Sequence, residues 1–177
     1  MTRIFLDATT LISLGSIGEL DLLTNFSGSL VLFPVVQDKV TTEPARTNLD
    51  RFIEQHDIET TDGLAADHIA QARSVLGEPT ENGDVYLIAA VLGYTAADQP
   101  VAIVSDDRRV RTTAQGLGGT VTGTIGVIVR AVDEGLPPEE GYTLVNQIDS
   151  RGLHLTGSLR EKAYSLIDEA ADTASSE

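Results

Sequence analysis

The chain has 177 residues, with 27 Asp plus Glu against 12 Lys plus Arg, a formal net charge of −15 and no cysteine. That length suits one domain with a real core rather than two, and the missing cysteines exclude disulfides, thiolate-bound zinc, iron–sulfur clusters and thiol nucleophiles. So acidic a chain is poorly suited to nonspecific duplex binding, which draws its affinity from Lys and Arg; with Lys39 and Lys162 as its only lysines, the composition resembles that of salt-adapted proteins, whose self-repulsion is screened.

Met1-Thr2-Arg3 leads straight into the apolar segment 4–6, which reads as a buried parallel strand and leaves no room for a signal peptide. No window approaches the roughly 20 apolar residues of a membrane span. A soluble, cytoplasmic protein is expected. Asp7-Ala8-Thr9-Thr10 then reads as a strand end and helix start, with Thr9 or Thr10 able to cap. Gly15 and Gly18 separate this helix from a second helical stretch over 19–26. Residues 30–33 form another short strand, closed by Pro34 at the first turn of a helix. The spacing of Leu49, Phe52 and Ile53 predicts an amphipathic helix over 43–54, opened by Pro44. Ile58 marks a short strand, and a helix over 64–76 stops at Gly77 and Pro79. After the turn Thr80-Glu81-Asn82-Gly83, the nearly continuous apolar run 84–92 reads as a buried helix.

Strand 101–104, helix 107–115, strand 120–122 and helix 125–134 follow, then a helix begun by Pro137-Pro138, a last helix over 159–171 and a polar tail over 172–177. Strands alternating with helices imply an α/β fold with a central parallel sheet, right-handed crossovers and extra C-terminal helices.

Four acidic segments fall at the edges of these elements: Asp7 after the first strand, the stretch from Asp38 to Glu43 after the second, Asp84 ahead of the buried helix, and Asp106-Asp107 after strand 101–104. Carboxylates that end parallel strands gather at the C-terminal edge of the sheet, where open α/β sheets bind ligands. Taken singly, Asp7 and Asp84 would serve equally well as helix caps or first-turn acids. The adjacent pair Asp106-Asp107 is harder to explain that way, because two neighbouring carboxylates repel unless cations compensate them. All-oxygen ligation suits Mg²⁺ or Mn²⁺, which activate water and stabilise phosphoryl displacement. Arg108, Arg109 and Arg111 sit beside the pair as a local basic rim for a phosphate backbone. Residues three apart on a helix share a face, so Arg108 and Arg111 act together and Arg109 points elsewhere. The residues thus point to a metal-dependent nuclease.

The chain resembles the PIN-domain ribonucleases, in particular a subgroup with an Asp-Asp motif. The resemblance rests on Phe5-Leu6-Asp7-Ala8-Thr9, Pro34-Val35-Val36, Gly83-Asp84, Ser105-Asp106-Asp107 through Arg111, Ala114 and Gly118, the block Gly123-Thr124-Ile125-Gly126-Val127, and Arg151-Gly152-Leu153-His154-Leu155. It implies a single PIN-like domain over 1–171 that acts as a Mg²⁺- or Mn²⁺-dependent endoribonuclease. Such proteins are often the toxin half of a toxin–antitoxin pair of the VapBC type, so an RNA substrate, a small antitoxin protein and a second copy of the chain are the implied partners. The resemblance makes Asp7 and Asp84 metal carboxylates and Asp107 the fourth, with Asp106 beside it as a ligand or a supporting group and Ser105 orienting a carboxylate or water. At the position of the second acid stands Lys39, whose ammonium cannot ligate a metal. Glu43 is the favoured substitute, one turn beyond Lys39 if the helix continues, with Asp38 in reserve.

Two other classes stay open beside this one. A noncatalytic PIN-like module that binds RNA or a protein would accommodate Lys39, and a metal-dependent phosphatase or DNA nuclease would share the sheet-edge carboxylates. Gly116 to Gly119 lacks the Lys and Ser/Thr of a phosphate loop, and His56, His68 and His154 lack metal-ligand spacing.

Overall fold

The computed structural model describes residues 1–61, 63 and 65–176. Its centre is a five-stranded, all-parallel sheet in the order β3-β2-β1-β4-β5, built from β1 (Arg3–Leu6), β2 (Ser29–Leu32), β3 (Glu59–Thr60), β4 (Val101–Val104) and β5 (Thr120–Thr122). The helices are α1 (Ala8–Ser16), α2 (Pro34–Gln37), α3 (Ala45–Gln55), α4 (Ile69–Leu76), α5 (Gly83–Ala96), α6 (Arg108–Gly116), α7 (Thr124–Asp133), α8 (Pro138–Ile148) and α9 (Gly157–Ala174). Among the described residues no helix is long and apolar enough to cross a membrane.

The chain moves outward from β1 to β2 and β3, then returns to the other side of β1 for β4 and β5. Right-handed crossovers therefore put α1 and α3, which pack together, on one face, and α4, α5 and α6, which also pack together, on the other. The reversal of direction makes the C-terminal edge between β1 and β4 the topological switch point, where the flanking loops part and leave a crevice. The register Leu6↔Val104 fixes the residues that meet there, and it brings Asp7 beside Ser105.

The three central strands, β1, β2 and β4, are apolar because they are covered on both faces, while the edge strands β3 and β5 are polar and partly exposed. Phe5, Leu6, Val31, Leu32, Ile103 and Val104 are fully or almost fully buried, each contributing on the order of 1.5–3 kcal/mol of apolar burial. Helix α5 is apolar nearly all round for the same reason, with buried residues from Gly83 to Leu92. A second core lies between α7, α8 and α9, formed around Ile128, Val132, Val145 and Ile167.

Several boundaries differ from the sequence reading. The stretch 19–26 is a 3₁₀ helix, Leu20–Asn25, and the helix expected over 64–76 is a 3₁₀ turn, Ala66–His68, followed by α4; its expected first residue, Leu64, lies outside the described residues. Helix α9 runs through residues 172–174, into the expected polar tail, because Thr156 caps its start and the periodic burial of Ala163, Ile167 and Ala170 sustains it. Glu177, the last residue of that tail, is outside the described residues. Helix α1 is capped by Asp7 instead of Thr9 or Thr10, which leaves both hydroxyls for the neighbouring loop.

Candidate active site

Asp7 is the centre of the site. It is only 4% exposed, in extended backbone at the N-cap of α1, where Oδ1 accepts the Ala8 amide at 2.7 Å. Oδ2 accepts the Ser105 hydroxyl at 2.5 Å and the Thr9 hydroxyl at 3.2 Å. Burial pushes the Asp7 carboxyl above its ordinary pKa and the nearby Asp84 adds to the rise, while the hydrogen bonds from Ser105, Ala8 and Thr9 oppose it. Cap and candidate ligand are therefore the same carboxylate.

Ser105, also fully buried, connects Asp7 to the loop after β4. Its hydroxyl donates to Asp7 and accepts the Asp107 amide at 3.1 Å. Asp107 caps α6 through Oδ1, which accepts the Val110 amide at 2.9 Å. Among the described residues its Oδ2 has no hydrogen-bond or ion-pair partner.

Asp84 stands in the first turn of α5, and the cap of that helix is taken by Asn82, whose Oδ1 accepts the Val85 amide at 3.0 Å. The cap reading of Asp84 thus gives way to another role. Arg109 binds it, donating to Asp84 Oδ2 at 3.1 Å and to Glu78 Oε1 at 2.6 Å. These bonds, the one to Glu78 first, raise the Arg109 pKa further. Arg109 consequently belongs to the acidic site and not to a free basic rim.

Asp106 is a clamp. Its Oδ1 accepts the Thr124 amide at 2.7 Å, and its Oδ2 accepts the Thr124 hydroxyl at 2.5 Å and the Thr10 hydroxyl at 3.4 Å. Its own amide donates to Thr9 Oγ1 at 3.1 Å. With both oxygens engaged, it ties the loop after β4 to the starts of α1 and α7. Gly123 allows this approach: a Cβ there would lie 2.6 Å from Asp106 Oδ1 and 2.8 Å from an Arg111 guanidinium nitrogen. Of the two roles expected for Asp106, ligand or supporting group, its bonding is that of the second. The Gly-Thr-Ile-Gly-Val block stood out in the sequence; that its Thr hydroxyl holds Asp106 did not, because nothing local links positions 106 and 124.

The second-acid region behaves differently from the expectation. Glu43 is exposed, and its carboxylate accepts the Thr47 amide at 3.2 Å at the start of α3. The helix it was to share with Lys39 does not continue, because α2 ends at Gln37 and α3 begins only at Ala45. Asp38 is exposed at the end of α2. Lys39 does reach the site: a Cβ on Gly83 would lie 3.1 Å from its Nζ, which places the ammonium against the first residue of α5, next to Asp84. Among the described residues no three Asp, Glu or His side chains form a ready-made ligand cluster.

A cleft of about 580 Å³ opens beside this edge, lined among others by Thr9, Ser13, Asp106, Asp107, Arg108 and Arg151. Arg108 thus faces the cleft, while Arg111 lines a neighbouring groove that shares Asp106 with it.

A family model described as a PIN domain matches residues 3–169. The chain belongs to the PIN-domain family. Its comparison with curated proteins gives no match. A PIN domain is in general a nuclease-type hydrolase domain that typically uses divalent metal ions, and the donor chemistry here suits such ions. In this PIN domain the charge of a buried carboxylate, Asp7, is disfavoured by burial and by a second carboxylate, Asp84.

Proposed function

We propose that this PIN domain is a Mg²⁺- or Mn²⁺-dependent endoribonuclease, acting in the cytoplasm as the toxin of a toxin–antitoxin pair with a small antitoxin protein as partner. The observation that carries the reading is the buried Asp7 carboxylate at the switch point of the sheet, whose charge is disfavoured by burial and by Asp84. A cation held by Asp7, Asp84 and the second oxygen of Asp107 would relieve that cost and supply an activated water and charge stabilisation at the phosphoryl group.

The chain's own groups set the rest. Ser105 orients Asp7, and Asp106 fixes the loop that carries Asp107. Arg109 neutralises Asp84 in the resting arrangement; its second anchor, Glu78, gives it a place to stay when Asp84 is needed elsewhere. Arg108 and Arg111 supply positive charge for RNA phosphates on either side of Asp106. Glu43, engaged with Thr47, is left out of the ligand set.

A second reading draws on Lys39 and Arg109: an ammonium against Gly83 and a guanidinium bound to Asp84 are also what a noncatalytic, RNA-binding PIN-like module would carry. Incubating the purified protein with RNA, single-stranded DNA and a phosphomonoester, in Mg²⁺, Mn²⁺ or EDTA, decides between them. RNA cleavage that needs the metal and is lost in Asp84→Asn is the expected result. RNA binding without cleavage in any metal favours the noncatalytic module, and turnover of DNA or the phosphomonoester in place of RNA favours the other hydrolases.

A further inference from the structure

Six of the ten arginines are engaged by partners among the described residues, as the excess of acids would lead one to expect. Arg3, Arg46, Arg109, Arg130 and Arg160 all form ion pairs, and Arg73 donates to the carbonyls of Glu78 and Pro79. Arg51, Arg108, Arg111 and Arg151 have neither an ion pair nor a hydrogen bond among the described residues, and of these Arg108 and Arg151 share one cleft. They come from segments more than 40 positions apart in the chain, yet both line the cleft beside Asp107.

The way Arg151 is delivered points the same way. It lies in a π-type turn, Asp149–Leu153, with Gly152 at φ 127° and His154 in the left-handed region at φ 45°, a conformation that a non-glycine residue adopts at a cost of about 1–3 kcal/mol. The turn is held from beneath by Asp149, whose carboxylate accepts the Leu155 amide at 2.7 Å and pairs with Arg160. Asp149 is thus engaged with the scaffold and unavailable to Arg151. Opposite the turn, α1 shows the cleft a polar stripe at helical spacing, Thr9, Ser13 and Ser16, with Ile12 between. Leu153, half-buried and packed on the buried Ile148, adds to the apolar surface of Ile12.

We infer that this cleft is a subsite for one or two unpaired nucleotides next to the scissile phosphate, with Arg151 and Arg108 holding backbone phosphate and the half-buried Ile12 and Leu153 receiving a base. The inference deepens the endoribonuclease reading and rests on it for the identity of the polyanion. The volume of about 580 Å³ lies within the 300–1,000 Å³ of small-ligand sites, too small for a duplex. Guanidinium groups with hydroxyl donors nearby are the usual means of gripping a sugar–phosphate chain. In a chain with a net charge of −15, two unpaired guanidiniums beside an acidic centre give this cleft a local positive charge for a polyanion.

The test is binding of a fluorescent single-stranded RNA oligonucleotide, in EDTA so that cleavage does not interfere, across a KCl series. Arg151→Gln should weaken binding about five- to tenfold and lower the slope of log K against log salt by about 0.7, the value for one lost single-strand phosphate contact. Arg151→Lys should recover part of the affinity, and Arg51→Gln, an arginine on a different surface groove, should bind as wild type. Wild-type binding by a folded Arg151→Gln overturns the subsite, as does an equal loss in Arg51→Gln, and so does a preference for duplex RNA that depends on Arg151. If the wild type never cleaves RNA in Mg²⁺ or Mn²⁺ but its RNA binding still depends on Arg151, the subsite stands and the endoribonuclease reading falls; if it cleaves RNA and Arg151→Gln changes neither affinity nor slope, the reverse holds.

Discussion

Asp7 combines a structural and a chemical role, and two substitutions separate them. Asn caps helices as well as Asp does, so Asp7→Asn keeps an acceptor for the Ala8 amide, and its side-chain amide can donate to the Ser105 oxygen in place of accepting from it. It also removes a charge that burial and Asp84 disfavour. Asp7→Ala sheds the same charge but loses the cap, about 1 kcal/mol, and leaves the buried Ser105 hydroxyl without its partner, about 1–3 kcal/mol. Asp7→Ala should therefore be less stable than Asp7→Asn by about 2–4 kcal/mol, roughly 4–16 °C in Tm for a domain of this size.

The pH dependence has a definite sign. Because burial raises the folded-state pKa of Asp7 above its unfolded value, the folded protein takes up a proton first on acidification. The contribution of Asp7 to stability is fully present below the unfolded pKa and is lost as pH rises through the folded one. At neutral pH Asp7→Asn should then melt at or above the wild type, and the gap should close as the pH is lowered. Both variants should lose RNA cleavage by at least about 100-fold. Thermal melts from neutral pH into the acid range, with cleavage measured on the folded protein, check all of this. An Asp7→Asn protein that melts as low as Asp7→Ala, or a gap that widens on acidification, would refute the account of Asp7 as a buried, charge-burdened cap.

Thr124→Val deletes the hydroxyl that holds Asp106 and should cost about 1.5–3 kcal/mol in urea unfolding, with cleavage per folded molecule unchanged; lost activity at unchanged stability would return Asp106 to the chemistry. Replacing Arg108 and Arg111 together by Gln should weaken RNA binding and reduce its log–log salt slope by about 1.4, two phosphate contacts' worth, while Tm changes little; a double variant that unfolds would show those side chains to be part of the scaffold. With 27 acids against 12 bases, the melting temperature should rise from low to molar KCl as screening relieves repulsion, and a flat or falling Tm would remove the argument for salt adaptation.

Local chemistry determined much of this protein before any fold was known. The apolar run at 101–104 coincides with β4 because a parallel strand buried on both faces needs an unbroken apolar segment, and the segment 120–122, Thr-Val-Thr, coincides with β5 at the sheet edge. Alternation of strand and helix was enough for a parallel α/β sheet, and strand-terminal positions were enough to single out Asp7 and the pair at 106–107. What the chain does with each carboxylate was decided by partners distant in sequence. Asp106 becomes a clamp through Thr124 and Thr10, Asp84 is freed by Asn82 and then bound by Arg109, and Arg151 meets Arg108 in one cleft across the switch point. The continuous helix that was to place Glu43 by its spacing from Lys39 is likewise overruled by the tertiary structure: the break between α2 and α3 ends it and leaves Glu43 at the start of the next helix. A sequence exposes periodicity and element ends, which are local; whether a carboxylate ligates, caps or clamps depends on which donors the folded chain brings within about 3 Å of it, and that is a property of the tertiary structure.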